Sequence, residues 1–342
     1  MYTVSFSRRL VLAVFLAFVS SAGWLFYAAT AIPSSVAANT ASARLHQVRH
    51  GTGSASAVLS LTPTASQKLF SYNATLYQLT SGLRPGRGDA IPDARDVHEM
   101  PVVDISFYNW RGNLLSGWFA LNTPQAPVII LNHGTPGNRV SMIGRAAFLY
   151  NHGYNVLLFD FQSYGHSQGT MSTLGMVESE DILAAVSYIH SLPATLNSKV
   201  GVLGLSMGAT AAVLAASRTT DIEAVVAESC PVDATRVPGD VPSETARQAD
   251  RELVEQVYGV DITKARPIDV VNKLAGHTAL FFINGDVDTI TPLPGMQSLY
   301  QAAGEPKQDW VVPTAGHAQS FAVDMGGFIS RVDDFFDTYL SH

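Results

Sequence analysis

The chain has 342 residues, 47% of them hydrophobic and only 14% charged, with a net charge of −7. That composition is too apolar for a disordered or solvating chain, and the acidic balance with scattered lysines and arginines argues against nucleic acid as a partner, which would require a basic face. A single cysteine, Cys230, excludes an intramolecular disulfide and any cysteine-based metal cluster, so an exported protein of this sequence must be held by its core alone.

Arg8 and Arg9 precede an apolar run, residues 10–31, long enough to span about 30 Å of hydrocarbon. Two readings are open for residues 1–31. A cleaved signal peptide has a basic start and a small-x-small site, which Ala29-Thr-Ala31 and Ala41-Ser-Ala43 both supply. An uncleaved membrane anchor, a transmembrane helix, uses the same arginines to hold the N-terminus in the cytoplasm, and Trp24 and Tyr27 suit its interfacial end. Ser7-Arg-Arg-Leu-Val-Leu12 also resembles a twin-arginine export signal. Both readings place the rest of the chain outside the cytoplasm, exported or membrane-anchored. Residues 32–98 read as a linker and irregular N-terminal extension, rich at first in Ala, Ser and Thr without periodicity, then with a short helix within 66–88. Asn73-Ala-Thr75 fits the glycosylation acceptor pattern.

Residues 99–342 carry the globular pattern. Strands are expected over 102–108, 114–121, 128–132, 155–160, 200–205, 222–227, 279–284 and 309–312. Helices are expected over 140–152, 176–190, 207–217, 293–303 and 320–340. After a first hairpin, strands and helices alternate, which implies right-handed crossovers and an α/β fold with a mostly parallel central sheet covered on both faces. Residues 231–264 break that rhythm, are more polar, and read as a small helical, cap-like insertion over the sheet's carboxyl edge.

The stretch Val200-Gly-Val-Leu-Gly-Leu-Ser206-Met-Gly-Ala-Thr-Ala-Ala212 holds the chemistry. A buried strand runs directly into an alanine-rich helix, with Gly204-Leu-Ser206-Met-Gly208 at the junction. This G-x-S-x-G setting is a nucleophile elbow: the serine occupies a tight turn, and Gly204 and Gly208 leave it room. The helix N-terminus beyond Ser206 offers unpaired N–H groups to a developing oxyanion.

A serine hydroxyl needs a base, itself oriented by a carboxylate. Phe281-Phe-Ile-Asn-Gly-Asp286-Val-Asp288-Thr-Ile-Thr-Pro292 is a buried strand emptying into an acidic turn, at the sheet edge where catalytic groups gather. Asp286 follows Gly285 and is placed to accept N–H bonds within that turn; Asp288 lies further out and is the expected triad acid. The candidate base is His317, in Pro313-Thr-Ala-Gly-His317-Ala: with the base expected after the serine, only His277, His317 and His342 remain of ten histidines, and His277 precedes its strand while His342 ends the chain. Leu131-Asn-His133-Gly134-Thr135 follows another buried strand and suits the second half of an oxyanion hole. Its donors are the backbone N–H groups of Met207 and Thr135, with His133 holding the loop in place through a hydrogen bond to its backbone. No H-E-x-x-H or close His/Asp cluster calls for a metal.

Four blocks carry a resemblance: His133-Gly134; Asp160-Phe-Gln-Ser-Tyr-Gly165-His-Ser167-Gln-Gly169; Gly204-Leu-Ser206-Met-Gly208; and Gly285-Asp-Val-Asp288 with Ala315-Gly-His317. From residue 102 onward the chain resembles the α/β-hydrolases, nearest the serine aminopeptidase-like and monoacylglycerol-lipase-like branch. Gln162 and Ser163 stand where that branch usually has Arg-Gly. The family spacing of the acid, three residues after a glycine and four before a proline, agrees with Asp288. The resemblance implies esterase, lipase or peptidase chemistry without a cofactor, on a small-molecule ester or short peptide. Ester cleavage is the expected activity. Peptide or amide cleavage is the alternative, for which Glu244, Asp250, Glu252 and Glu255 could receive a free amino terminus. A non-catalytic binding module on the same fold is the remaining reading, although such proteins usually lack a triad member.

Overall fold

Short apolar runs alternating with helical patterns fold here as crossovers onto one sheet. The computed structural model describes residues 87–170, 172–236 and 244–341. Its strands are β1 (Val103–Tyr108), β2 (Leu114–Ala120), β3 (Val128–Asn132), β4 (Asn155–Phe159), β5 (Val200–Leu205), β6 (Ala224–Glu228), β7 (Ala279–Gly285) and β8 (Lys307–Val312). They pair in the order β1-β2-β4-β3-β5-β6-β7-β8. The β1–β2 and β2–β4 pairs are antiparallel, and every pair from β4–β3 to β7–β8 is parallel. β3 to β7 are buried along their whole length, whereas the edge strands β1 and β8 are partly exposed, which is why the inner strands read as continuous apolar runs.

The α-helices are α1 (Ile143–Asn151), α2 (Glu178–Ser191), α3 (Met207–Ala216), α4 (Glu244–Tyr258), α5 (Leu293–Ala302), α6 (Ser320–Val323) and α7 (Met325–Leu340). Strand alternation divides the core between them. Val128 and Ile130 of β3 with Val200 and Val202 of β5 face α2 and α3. Ile129, Leu131, Leu203 and Leu205 face the opposite layer, where Leu149 of α1 and Phe328, Val332 and Phe336 of α7 pack. α3 is apolar on every side and fully buried, as a helix against the sheet centre must be.

The element boundaries expected from the sequence shift by a residue or two at most strands, and three departures have a physical cause. The helix expected over 140–152 opens with a 3₁₀ turn, Arg139–Met142, capped by the Asn138 side chain. The helix expected over 320–340 is two: Asp324 leaves helical geometry and its side chain accepts from the Gly327 N–H at 2.8 Å, starting α7 afresh. Packing also continues upstream of residue 99, where Ala94, Val97 and Met100 are buried against Trp118 and its neighbours. Within the insertion, α4 and a 3₁₀ turn, Ile262–Lys264, bury Val254 and Ile262 together. Arg111 in the β1–β2 turn donates to the Tyr258 carbonyl at 2.8 Å and pairs with Glu180 at 2.7 Å. Glu180 lies in the first turn of α2, where Asp181 accepts the N–H of Gln162, just past the end of β4, at 2.9 Å, so this contact puts α4 at the carboxyl edge. No helix among the described residues is long and apolar enough to cross a membrane. Residues 1–31, residues 32–86 of the extension and Asn73 lie outside the described residues.

One buried ion pair ties α1 to the sheet beside Ser206. Arg145 of α1 donates to both carboxylate oxygens of Glu228, at the end of β6, at 2.8 Å each. Its guanidinium lies 5.0 Å from the Phe321 ring and 5.6 Å from that of Phe328. The Glu228 side chain is inaccessible to solvent. Removing one member strands a charge in the core, whereas removing both need not. Arg145→Met is therefore expected to cost about 3–5 kcal/mol in urea unfolding, and Arg145→Met with Glu228→Leu should recover most of that loss.

Candidate active site

β5 ends by turning its chain through a conformation that few residues tolerate. Ser206 has φ 55° and ψ −115°, and its N–H donates to the Glu228 carbonyl of the neighbouring strand at 2.9 Å. A Cβ at Gly204 would overlap the Gly208 carbonyl, and one at Gly208 would overlap the Asn132 carbonyl. Both glycines are therefore demanded by close backbone approach, across the elbow itself and between the elbow and the end of β3. Once past Ser206, the Ala209 and Thr210 N–H groups turn to the Ser206 carbonyl at 2.9 and 3.1 Å. Met207, as the first residue of α3, has an N–H with no partner inside its helix.

Three loops at the carboxyl edge converge on the serine. His317, between β8 and α6, brings Nε2 to 2.9 Å from the Ser206 Oγ. Its Nδ1 meets Asp288 at 2.9 Å on Oδ2 and 3.2 Å on Oδ1. The Asp288 side chain is wholly buried, while that of His317 is 18% exposed, which leaves the ring an open side. Burial alone would raise the Asp288 carboxyl, but hydrogen bonds from His317 and Thr291 outweigh it and hold the group below the usual carboxylate range. Asp288 is thus an anion at neutral pH, facing the ring nitrogen that must keep its hydrogen. With a carboxylate on Nδ1, the free lone pair of Nε2 points at the serine hydroxyl, the arrangement in which imidazole can take a proton as oxygen attacks a carbonyl.

The two aspartates divide their work differently from the expectation. Bonds within the acidic turn belong to Asp288: its Oδ1 accepts from the Ile290 and Thr291 N–H groups at 2.9 and 2.8 Å. Asp286 instead crosses to the His317 loop and accepts from the Thr314 N–H at 2.6 Å. The reason is direction. β7 and β8 run side by side, so the first carboxylate past Gly285 meets the neighbouring loop, and the second folds back over its own turn.

The other candidates fall beside the elbow. An added Cβ at Gly134 would sit 3.2 Å from both the Leu205 carbonyl and Ser206 Cβ, so the loop carrying Thr135 passes directly over the nucleophile position. His133 is buried between Phe161 and Tyr164, at ring distances of 5.1 and 5.0 Å. Its Nε2 accepts the Phe161 N–H at 3.2 Å, so Nδ1 carries the hydrogen and donates to the Gly134 carbonyl at 2.8 Å. Burial pushes its pKa down, keeping the ring neutral. His133 thereby ties the Gly134–Thr135 loop to the end of β4.

Several contributors were not found by sequence reasoning. The Thr291 hydroxyl donates to Asp288 Oδ2 at 2.7 Å; its signal was the hydroxyl residue just before Pro292 in the acidic turn. Tyr164 and Ser172 hydroxyls each approach the Met207 sulfur at 3.3 Å, which fixes the first turn of α3. Glu228 stood out only as an acid ending an apolar run. Ser229, which accepts the Ala318 N–H on its Oγ at 3.1 Å, gave no sequence signal at all.

The sequence pattern of the X-Pro dipeptidyl-peptidase (S15 family) matches residues 102–238, a span that includes Ser206 and stops short of Asp288 and His317. An uncharacterized protein of Mycobacterium tuberculosis is 28% identical over 250 residues, 71% of this chain and 79% of its own length. Among solved structures, the esterase Pf2001 of Pyrococcus furiosus is similar with a TM-score of 0.62 at 25% identity, over 75% of this chain and 100% of the esterase. A Penicillium α/β hydrolase, GrgF, shares the fold with a TM-score of 0.60 at 17% identity, over 71% of this chain and 100% of its own. The chain is an α/β-hydrolase. These similarities make it a serine hydrolase, an enzyme.

The geometry of this hydrolase separates the two aspartates. Asp288→Asn keeps the shape but favours the wrong tautomer of His317, and should lower turnover of an activated ester on the order of 10⁴-fold. Asp286→Asn should cost only about tenfold, through a looser His317 loop. Steady-state rates of both folded variants at neutral pH test this; a larger loss for Asp286→Asn would reverse the assignment.

Proposed function

We propose that the enzyme cleaves carboxylic esters with Ser206 as nucleophile, His317 as general base and Asp288 as its orienting acid. The observation that carries this reading is the unbroken chain of contacts from Asp288 through Nδ1 and Nε2 of His317 to the Ser206 hydroxyl, at 2.9 Å for each link. His317 takes the hydroxyl proton as Ser206 Oγ bonds to the ester carbonyl carbon. The backbone N–H groups of Met207 and Thr135 receive the negative charge that develops on the carbonyl oxygen. As the tetrahedral intermediate collapses, the carbon–oxygen bond to the alcohol breaks and His317 passes its proton to that oxygen. Water then attacks the acyl-enzyme, giving one proton to His317, and the second collapse releases the acid and returns the proton to Ser206.

An ester is preferred over a peptide because the similar Pyrococcus furiosus protein is an esterase and its likeness extends over 75% of this chain. Peptide or amide cleavage is the second reading, favoured by the match to the X-Pro dipeptidyl-peptidase family and by the aminopeptidase-like resemblance of the sequence. A panel of p-nitrophenyl esters and aminoacyl p-nitroanilides separates the two. Ser206→Ala should lose both turnover and labelling by a fluorophosphonate probe while keeping the wild-type fold, because alanine fits wherever serine did. Labelling that persists in the folded variant would refute Ser206 as nucleophile.

We further propose that the hydrolase domain works outside the cytoplasm, with residues 1–31 as a signal peptide or membrane anchor. The support is Arg8 and Arg9 ahead of the apolar run of residues 10–31. Fractionation of cells expressing the full chain should find activity in the membrane or exported fraction; recovery of full-length protein only in cytosol would sink the proposal.

A further inference from the structure

The loop that carries His317 is held ahead of the histidine by a backbone bond and across it by a side chain. The Val287 N–H donates to the Ala315 carbonyl at 3.2 Å, and the Gly316 N–H to the Gln319 side chain at 3.0 Å. Immediately past His317, Ala318 takes a left-handed conformation, φ 62°, which its Cβ disfavours. Such a residue stays in place only where its surroundings determine it. Its N–H is met by one group, the hydroxyl of Ser229 at 3.1 Å.

Ser229 is itself unusual. It is wholly buried and left-handed, φ 51°, at a position where glycine or asparagine would sit with less strain. Its own N–H donates to the Ile283 carbonyl of β7 at 2.8 Å, the strand that leads to Asp288. The residue before it, Glu228, holds the Ser206 N–H. The end of β6 thus bonds to the elbow, to the strand that leads to Asp288 and to the His317 loop, and on the His317 loop it does so with a side chain.

We propose that Ser229 is a positioning residue, whose hydroxyl pins the Ala318 amide and thereby sets the His317 ring against Ser206. This rests on the triad reading above. The left-handed turn at Ser229 aims its Oγ at the His317 loop, which accounts for a strained serine in place of a relaxed glycine. Without the hydroxyl, Ala318 loses the partner that offsets its strain, and the ring swings by a fraction of an ångström relative to Ser206 Oγ.

Ser229→Ala and Ser229→Gly distinguish the hydroxyl from the backbone. Both remove the hydroxyl, but only glycine relieves the left-handed strain. The measurements are the second-order rate of fluorophosphonate labelling, and kcat and KM on a short-chain p-nitrophenyl ester. They are made on full-length protein at a temperature where circular dichroism shows each variant folded. Both variants should label on the order of tenfold more slowly and lose kcat by a similar factor, with KM unchanged. Labelling at the wild-type rate in either variant overturns the proposal: in both, because the hydroxyl is dispensable, and in Ser229→Gly alone, because only backbone strain mattered. Wild-type protein that fails to label at Ser206 refutes the triad reading instead, a result visible before any variant is made.

Discussion

Everything at this site depends on one backbone constraint, the left-handed turn at Ser206. A residue with φ 55° and ψ −115° is strained, and it persists because the elements around it leave no alternative. β5 is bonded on both sides, α3 is buried on every face, and the end of β3 lies against Gly208. The strain has a purpose. It turns the chain into α3 and leaves the Met207 N–H beside it without a partner inside its helix. The same compression forbids any side chain at Gly204 or Gly208, so the glycines of the G-x-S-x-G pattern are the sequence trace of a steric requirement, not of a chemical one.

A second ring of contacts surrounds the elbow, and much of it originates at the end of β6. Glu228 gives its carbonyl to Ser206 and its carboxylate to Arg145, whose helix follows the loop that carries Thr135. A charge pair buried this deeply adds little net stability compared with apolar neighbours, but it has strict geometry. Two parallel hydrogen bonds, with a guanidinium flanked by Phe321 and Phe328, set the distance between α1 and β6 more narrowly than aliphatic packing would. The pair therefore serves register between the two elements more than it serves cohesion.

What the sequence disclosed and what it hid follow from the range of the interactions. The elbow, the acidic turn and the His317 loop were legible because each is a strand ending followed by a short, chemically distinctive segment. The sheet was legible because its inner strands are buried on both faces. Arg145 and Glu228 are 83 residues apart, and Ser229 and Ala318 are 89 apart; no local pattern announces either contact. The roles within the acidic turn were misread at one point. Proximity to Gly285 suggested that Asp286 would serve the turn, but the direction of β7 beside β8 hands that task to Asp288. The break in the last helix has a local signature: Asp324 before Gly326 and Gly327 is a capping pattern, masked by the apolar stripe that runs through both helices.

The double duty of Asp288 has a consequence for how the site is built. Its carboxylate accepts two backbone N–H groups and the Thr291 hydroxyl as well as facing His317. A carboxylate held by three donors of its own turn cannot follow the ring if the ring moves. Nor can Ser206, locked between β5 and α3. Of the three groups, His317 sits in a loop that Gln319 closes on Gly316 and that a side-chain hydrogen bond, from Ala318 to Ser229, ties to the end of β6. The part that must change protonation in every step is thus the one whose loop is tied to its neighbours partly by side chains, Asp286 to Thr314 and Ser229 to Ala318. Small changes around the His317 loop will therefore reach the chemistry sooner than equal changes around the elbow or the acidic turn.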